Sequence, residues 1–154
     1  MHIRLVTLKR GLLVFWAVWF SLVCLTNVLD GCKRLALLPP TWQYVSGNFQ
    51  LIVSVVRVSR MPEWLAALLF TGATLVEGVC AALFWQAAVR FQGVKSPPLA
   101  LAITAFAISI ALWAAFAVSV ETFIAFEKVS EGTFHALFNA NLLSLLAIRL
   151  LPDT

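Results

Sequence analysis

The hydrophobic and polar positions divide this chain into four long apolar runs and one patterned stretch between the first two. The runs cover about residues 11–29, 64–89, 99–120 and 134–151. Each approaches or exceeds the roughly 20 residues that a helix needs to cross the hydrocarbon core of a bilayer. Lipid offers no partner to a backbone N–H or C=O, so the expected spanning form is the helix. The pattern predicts an all-α integral membrane protein, a four-transmembrane-helix bundle forming one domain over residues 1–154.

Residues 30–63 do not fit a span. Pro39 and Pro40 stop any helix arriving from the first run. Beyond them, Phe49, Ile52, Val53 and Val56 fall on one helical face, and Gln50, Ser54 and Arg57 on another. That predicts a short amphipathic helix lying at the membrane interface between the first two spans, with Ser46 or Asn48 as its cap. The alternation Val-Ser-Val-Val-Arg-Val leaves a strand-like loop as the rival reading. Met61-Pro62-Glu63 then opens the second span, with proline where a helix start tolerates it.

Composition agrees with the pattern. The chain is 62% hydrophobic and 12% charged, with a mean hydropathy of +0.95, whereas soluble domains are about half apolar and a quarter charged. Six Trp and twelve Phe suit lipid-facing helices with interfacial anchors. The net charge of +4 is carried at the ends of the apolar runs. It points to anionic headgroups rather than to nucleic acid, for which no basic face exists. The basic first residues, Arg4, Lys9 and Arg10, resemble the start of a signal peptide. No small-x-small cleavage site follows the run, so it reads as a retained span. With the N-terminus inside, six basic residues fall on the cytoplasmic side (Arg4, Lys9, Arg10, Arg90, Lys95, Arg149) and five on the other (Lys33, Arg34, Arg57, Arg60, Lys128). This bias predicts both termini in the cytoplasm, with a bacterial inner membrane as the simplest location. Of the three cysteines, Cys24 and Cys80 lie inside apolar runs and Cys32 just beyond one. No CxxC pair suggests a metal or disulfide framework.

The candidate chemistry is sparse. Glu77 lies near the midpoint of the second run, where an ionised group costs about 2.5–3.5 kcal/mol on insertion scales. Ala73, Thr74, Cys80 and Ala81 lie three or four positions away and form a small-residue face suited to close helix packing. Glu77 is therefore expected at an interface, as an intramembrane polar contact, as a proton or ion site, or as a contact to a headgroup or cofactor. Asn27 and Asp30 at the end of the first run, and Asn139, Asn141 and Ser144 in the fourth, are candidates to pair with Glu77 or Glu121. A second candidate is Glu127, Glu131, His135 and Asn139, recurring every four residues. Glu131 and His135 alone have the i, i+4 spacing at which two side chains share a metal. Against that, Ser130, Gly132 and Thr133 read as a turn and a fresh helix start. Haem would need two buried histidines for bis-histidine ligation, and His2 is the only other one.

Proton-translocating proteolipids also carry one midspan carboxylate, but their helices are glycine-rich and this chain has seven Gly. No phosphate loop or nucleophile motif is present, and the two halves show no repeat of the kind carriers use. We expect no catalytic activity of its own. The leading expectation is a small accessory or structural subunit of a larger membrane complex, with lipid and other membrane subunits as partners and no cofactor beyond bound lipid. The alternatives are a proton- or ion-coupled protein using Glu77, and a metal- or quinone-site protein using Glu127, Glu131 and His135.

Overall fold

The structure, a computed structural model, describes residues 5–92, 98–123 and 131–153, with the side chains of Pro98 and Glu131 outside that description. Five helices follow one another: α1 (Leu5–Arg34), α2 (Asn48–Val58), α3 (Glu63–Arg90), α4 (Pro98–Thr122) and α5 (Glu131–Leu150), with no strand among the described residues. Four are long and apolar enough to span a membrane: α1, α3, α4 and α5. The chain is an all-helical membrane bundle with a short helix inserted between its first two spans.

The helix ends have local causes. α1 continues to Arg34, five residues beyond the expected boundary, and stops where Ala36 takes a left-handed conformation (φ 58°). The Leu37 N–H then reaches back to the Cys32 carbonyl at 2.9 Å, the closing bond of a Schellman turn. α2 ends the same way, with Arg60 at φ 55° and the Met61 N–H on the Val56 carbonyl at 3.1 Å. Pro62 in extended conformation caps α3, and Pro98 occupies the first turn of α4, both positions where a missing N–H costs nothing. α5 begins at Glu131, within the stretch where a fresh helix start was expected, and Gly132 and Thr133 lie inside its first turn. Ser130 lies outside the described residues.

α1 packs along α3, α3 along α4, and α4 along α5, while α1 and α5 touch only locally. α1 and α3 lie close together at Gly78, where an added Cβ would meet Cys24 Sγ at 3.4 Å. An aromatic column ties the bundle together. Phe106 meets Phe84 edge-on at 4.8 Å, Phe84 stacks on Phe20 at 5.7 Å, and Phe20 stacks on Trp113 at 5.8 Å. Trp113 in turn stacks on Phe134 of α5 at 6.5 Å. Such pairs contribute about 0.5–1.5 kcal/mol each beyond their burial. Two hydroxyl contacts pin α5: Ser109 donates to Asn141 Oδ1 at 2.5 Å, and Trp16 Nε1 donates to Ser144 at 3.0 Å. At the end of the bundle where α1 begins, Lys9, 1% exposed, donates to the Leu151 carbonyl at 2.6 Å and to Asp153 at 2.8 Å. Residues 9 and 153 thus share one side of the bundle, as four spans require.

The apolar face of α2 is covered by the bundle. Phe49, Val53 and Val56 are buried with Ala66 and Phe70 of α3, and Ile52 packs against them. The alternating reading of this segment as a strand gives way because a helix brings all four to one side. The opposite face carries Gln50, Ser54 and Arg57, as the helical pattern predicts; Gln50 and Arg57 are exposed and Ser54 is half-buried.

Candidate functional site

Five polar side chains converge where α1, α2 and α3 meet. Glu77 is 2% exposed and Asn27 3%. Asn27 Nδ2 donates to Glu77 Oε2 at 2.7 Å, and Asn27 Oδ1 accepts from Asn48 Nδ2 at 2.9 Å. One turn further along α1, Asp30 Oδ2 accepts from the Ser46 hydroxyl and from the Phe49 backbone N–H, both at 3.0 Å. The Ser46 hydroxyl also accepts the Asn48 N–H at 3.1 Å. Two of the four orphan N–H groups at the start of α2 are thereby satisfied from outside the helix, and a carboxylate stands at the positive end of its dipole.

The local reasons are simple. Asn27 and Asp30 are three residues apart, so they share a face of α1. Gly47, left-handed at φ 74°, turns the loop so that Ser46 and Asn48 both face α1; a side chain at that φ would be strained. Nearby, Cys24 Sγ lies 3.7 Å from the Thr74 carbonyl. Glu77, Cys80 and Ala81 are buried, with Thr74 and Ala73 half-buried.

The cluster forms one wall of a cavity of about 590 Å³. All five helices contribute to it, and the polar residues among its described lining are Asn27, Asn48, Glu77 and Ser119. Trp19 and Trp113 also line it, with their indole nitrogens buried in the packing and without a hydrogen-bond partner among the described residues.

No family model, curated protein or solved structure matches the chain. What the site can do rests on its own geometry.

The other sequence candidates part company. Asn141 and Ser144 hold Ser109 and Trp16 rather than Glu77, while Glu121, His135 and Asn139 are exposed. Glu127, His2 and the Glu131 side chain lie outside the described residues. Among the described residues no three His, Cys, Asp or Glu side chains are placed to share a metal ion. The three cysteines are free thiols. Of the two caps expected, Ser46 and Asn48, the Ser46 hydroxyl accepts the first N–H of α2 with Asp30 taking the next, while Asn48 extends the Asn27–Glu77 pair. The i, i+3 spacing of Asn27 and Asp30 was the available signal. Nothing in the sequence marked Trp19 and Trp113 among six tryptophans.

Proposed function

We propose that this chain is a non-catalytic accessory subunit of a larger membrane complex, seated on its partner through α5. One observation carries the reading. α5 is both the least apolar span, with a mean hydropathy of 1.2 against 1.8–2.3 for the others, and the least covered, with 11% of its apolar stretch buried against 28–33%. The uncovered face carries Gly132, Ala136 and Ala140 at four-residue spacing with Asn139 beside them, all exposed. Small residues at that spacing let another helix approach closely, and an amide there supplies an interhelical hydrogen bond of about 0.6 kcal/mol on average. Lipid alone rewards neither feature. The partner we infer is the transmembrane helix of a larger subunit, in a bacterial inner membrane, with both termini cytoplasmic. That orientation follows the excess of basic residues on their side.

The rival use of Glu77 as a proton carrier is less well supported. The groups that follow it toward the α2 loop are the amides of Asn27 and Asn48, which hold a carboxyl in place and do not titrate.

The test is extraction in a mild detergent and native-gel sizing. The reading expects stoichiometric co-migration with larger subunits, lost in Ala136→Leu and Asn139→Leu. Migration alone, or unchanged assembly in both variants, would overturn it. A reporter fused after Asp153 that is active only in the periplasm would overturn the orientation.

A further inference from the structure

The cavity beside Glu77 has a use that does not depend on how α5 docks. We propose that it binds a neutral amphipathic lipid whose head carries carbonyl or hydroxyl oxygens, with the head at Asn27, Asn48 and Glu77 and the tail along the aromatic wall of α4 and α5.

Four observations lead there. The volume, about 590 Å³, falls within the range of about 300–1,000 Å³ of small-molecule sites, and the lining is apolar with a few convergent polar groups, as in such sites. The polar groups are unevenly placed: three of the four meet where α1, α2 and α3 join, and the fourth, Ser119, donates to the Ala115 carbonyl of its own helix at 2.7 Å, while the α4–α5 wall carries Trp113, Phe116 and Phe134, whose rings pack within 5.3–6.5 Å of one another. That is a head end and a tail end. No Lys, Arg or His belongs to the described lining, so a phosphate or carboxylate head would face Glu77 without a counter-charge. Finally, a side-chain amide carries two N–H donors, and Asn27 and Asn48 each give one within the cluster, so a head oxygen meets donors at this end. A cationic head would pair with Glu77 but would leave those donors unmet.

Two sources share this chemistry, an alkylated quinone and a monoacylglycerol. Purified protein in detergent is titrated with decyl-benzoquinone, with monoolein, and with phosphatidylglycerol as the anionic comparison, and binding is read by native mass spectrometry. The expected result is saturable one-to-one binding of at least one neutral probe, and which probe binds identifies the source. Ala115→Phe, which fills the cavity from its rim, should abolish binding. Asn48→Leu should weaken it about 2- to 10-fold, the effect of one hydrogen bond. Leu75→Phe, on the lipid-facing side of α3 at 66% exposure, should bind like the parent and controls for folding. Non-saturable adducts that are equal in all variants, or binding of phosphatidylglycerol alone, would overturn the proposal.

Discussion

Replacing Asn27 by leucine tests the centre of the bundle. The two residues are close in size, so the substitution removes hydrogen bonds with little change in volume. Two are lost: the 2.7 Å bond to Glu77 and the 2.9 Å bond from Asn48. Interhelical bonds in membranes average about 0.6 kcal/mol and reach about 1.7, so the pair gives about 1–3 kcal/mol. The upper part of that range applies to Glu77, which at 2% exposure has no water to turn to. Stability would be measured by reversible unfolding of the protein from dodecylmaltoside into SDS-mixed micelles, followed by far-UV circular dichroism. The cycle is closed with Glu77→Leu and the double variant. The structure predicts a coupling of about 0.6–1.7 kcal/mol, with the double variant less destabilised than the sum of the singles. Glu77→Gln retains an oxygen for Asn27 to donate to and should cost less than Glu77→Leu. A coupling below about 0.3 kcal/mol, the scatter expected of independent sites, would refute a direct Asn27–Glu77 bond.

Three further outcomes follow from the packing. Asp30→Ala should fray the start of α2 and cost about 0.5–2 kcal/mol, the usual worth of a helix cap; faster hydrogen exchange at the Phe49 amide would report it, and unchanged exchange would refute it. At Gly78, alanine should be tolerated with a small shift of Cys24, because the new Cβ would lie 3.4 Å from its sulfur. Leucine there should separate α1 from α3 and lower stability by about 1–3 kcal/mol or more, the cost of overpacking, in the same unfolding assay; equal stability of the two variants would contradict the packing. Ala36→Gly should stabilise the protein by about 1 kcal/mol, since a left-handed conformation costs a residue with a Cβ roughly 1–2 kcal/mol and glycine gives part of that back through its freer unfolded chain. A lowered midpoint would show that Ala36 is not left-handed.

The spans were readable because lipid imposes one rule along the whole chain: apolar runs of sufficient length form helices. α2 was readable because Phe49, Ile52, Val53 and Val56 share a side only at helical period. The end of α1 was misplaced because Asp30, Lys33 and Arg34 look like loop residues. They stay helical since Asp30 has partners on α2 and Arg34 reaches Glu63 at 2.6 Å and lies 5.3 Å over the Phe49 ring. Glu77 announced itself by its cost, but its partner did not: Asn27, Asn141 and Ser144 were equally eligible until helix pairing was known. The cavity left no trace in the sequence. It is a space between five helices, and its lining alternates with lipid-facing and core positions that carry the same residue types.

The tie between Lys9 and Asp153 also sets an order of events during synthesis. These residues stand 144 positions apart, and a chain enters the membrane from its beginning at about 5–20 residues per second. For several seconds, therefore, α1 sits in the bilayer with a lysine whose final partner has not yet been made. Only when the last turn of α5 has been inserted can that ammonium find the carboxylate and the Leu151 carbonyl. The clasp therefore closes last: a chain in which α5 fails to insert keeps Lys9 without these two contacts and leaves that end of the bundle unjoined.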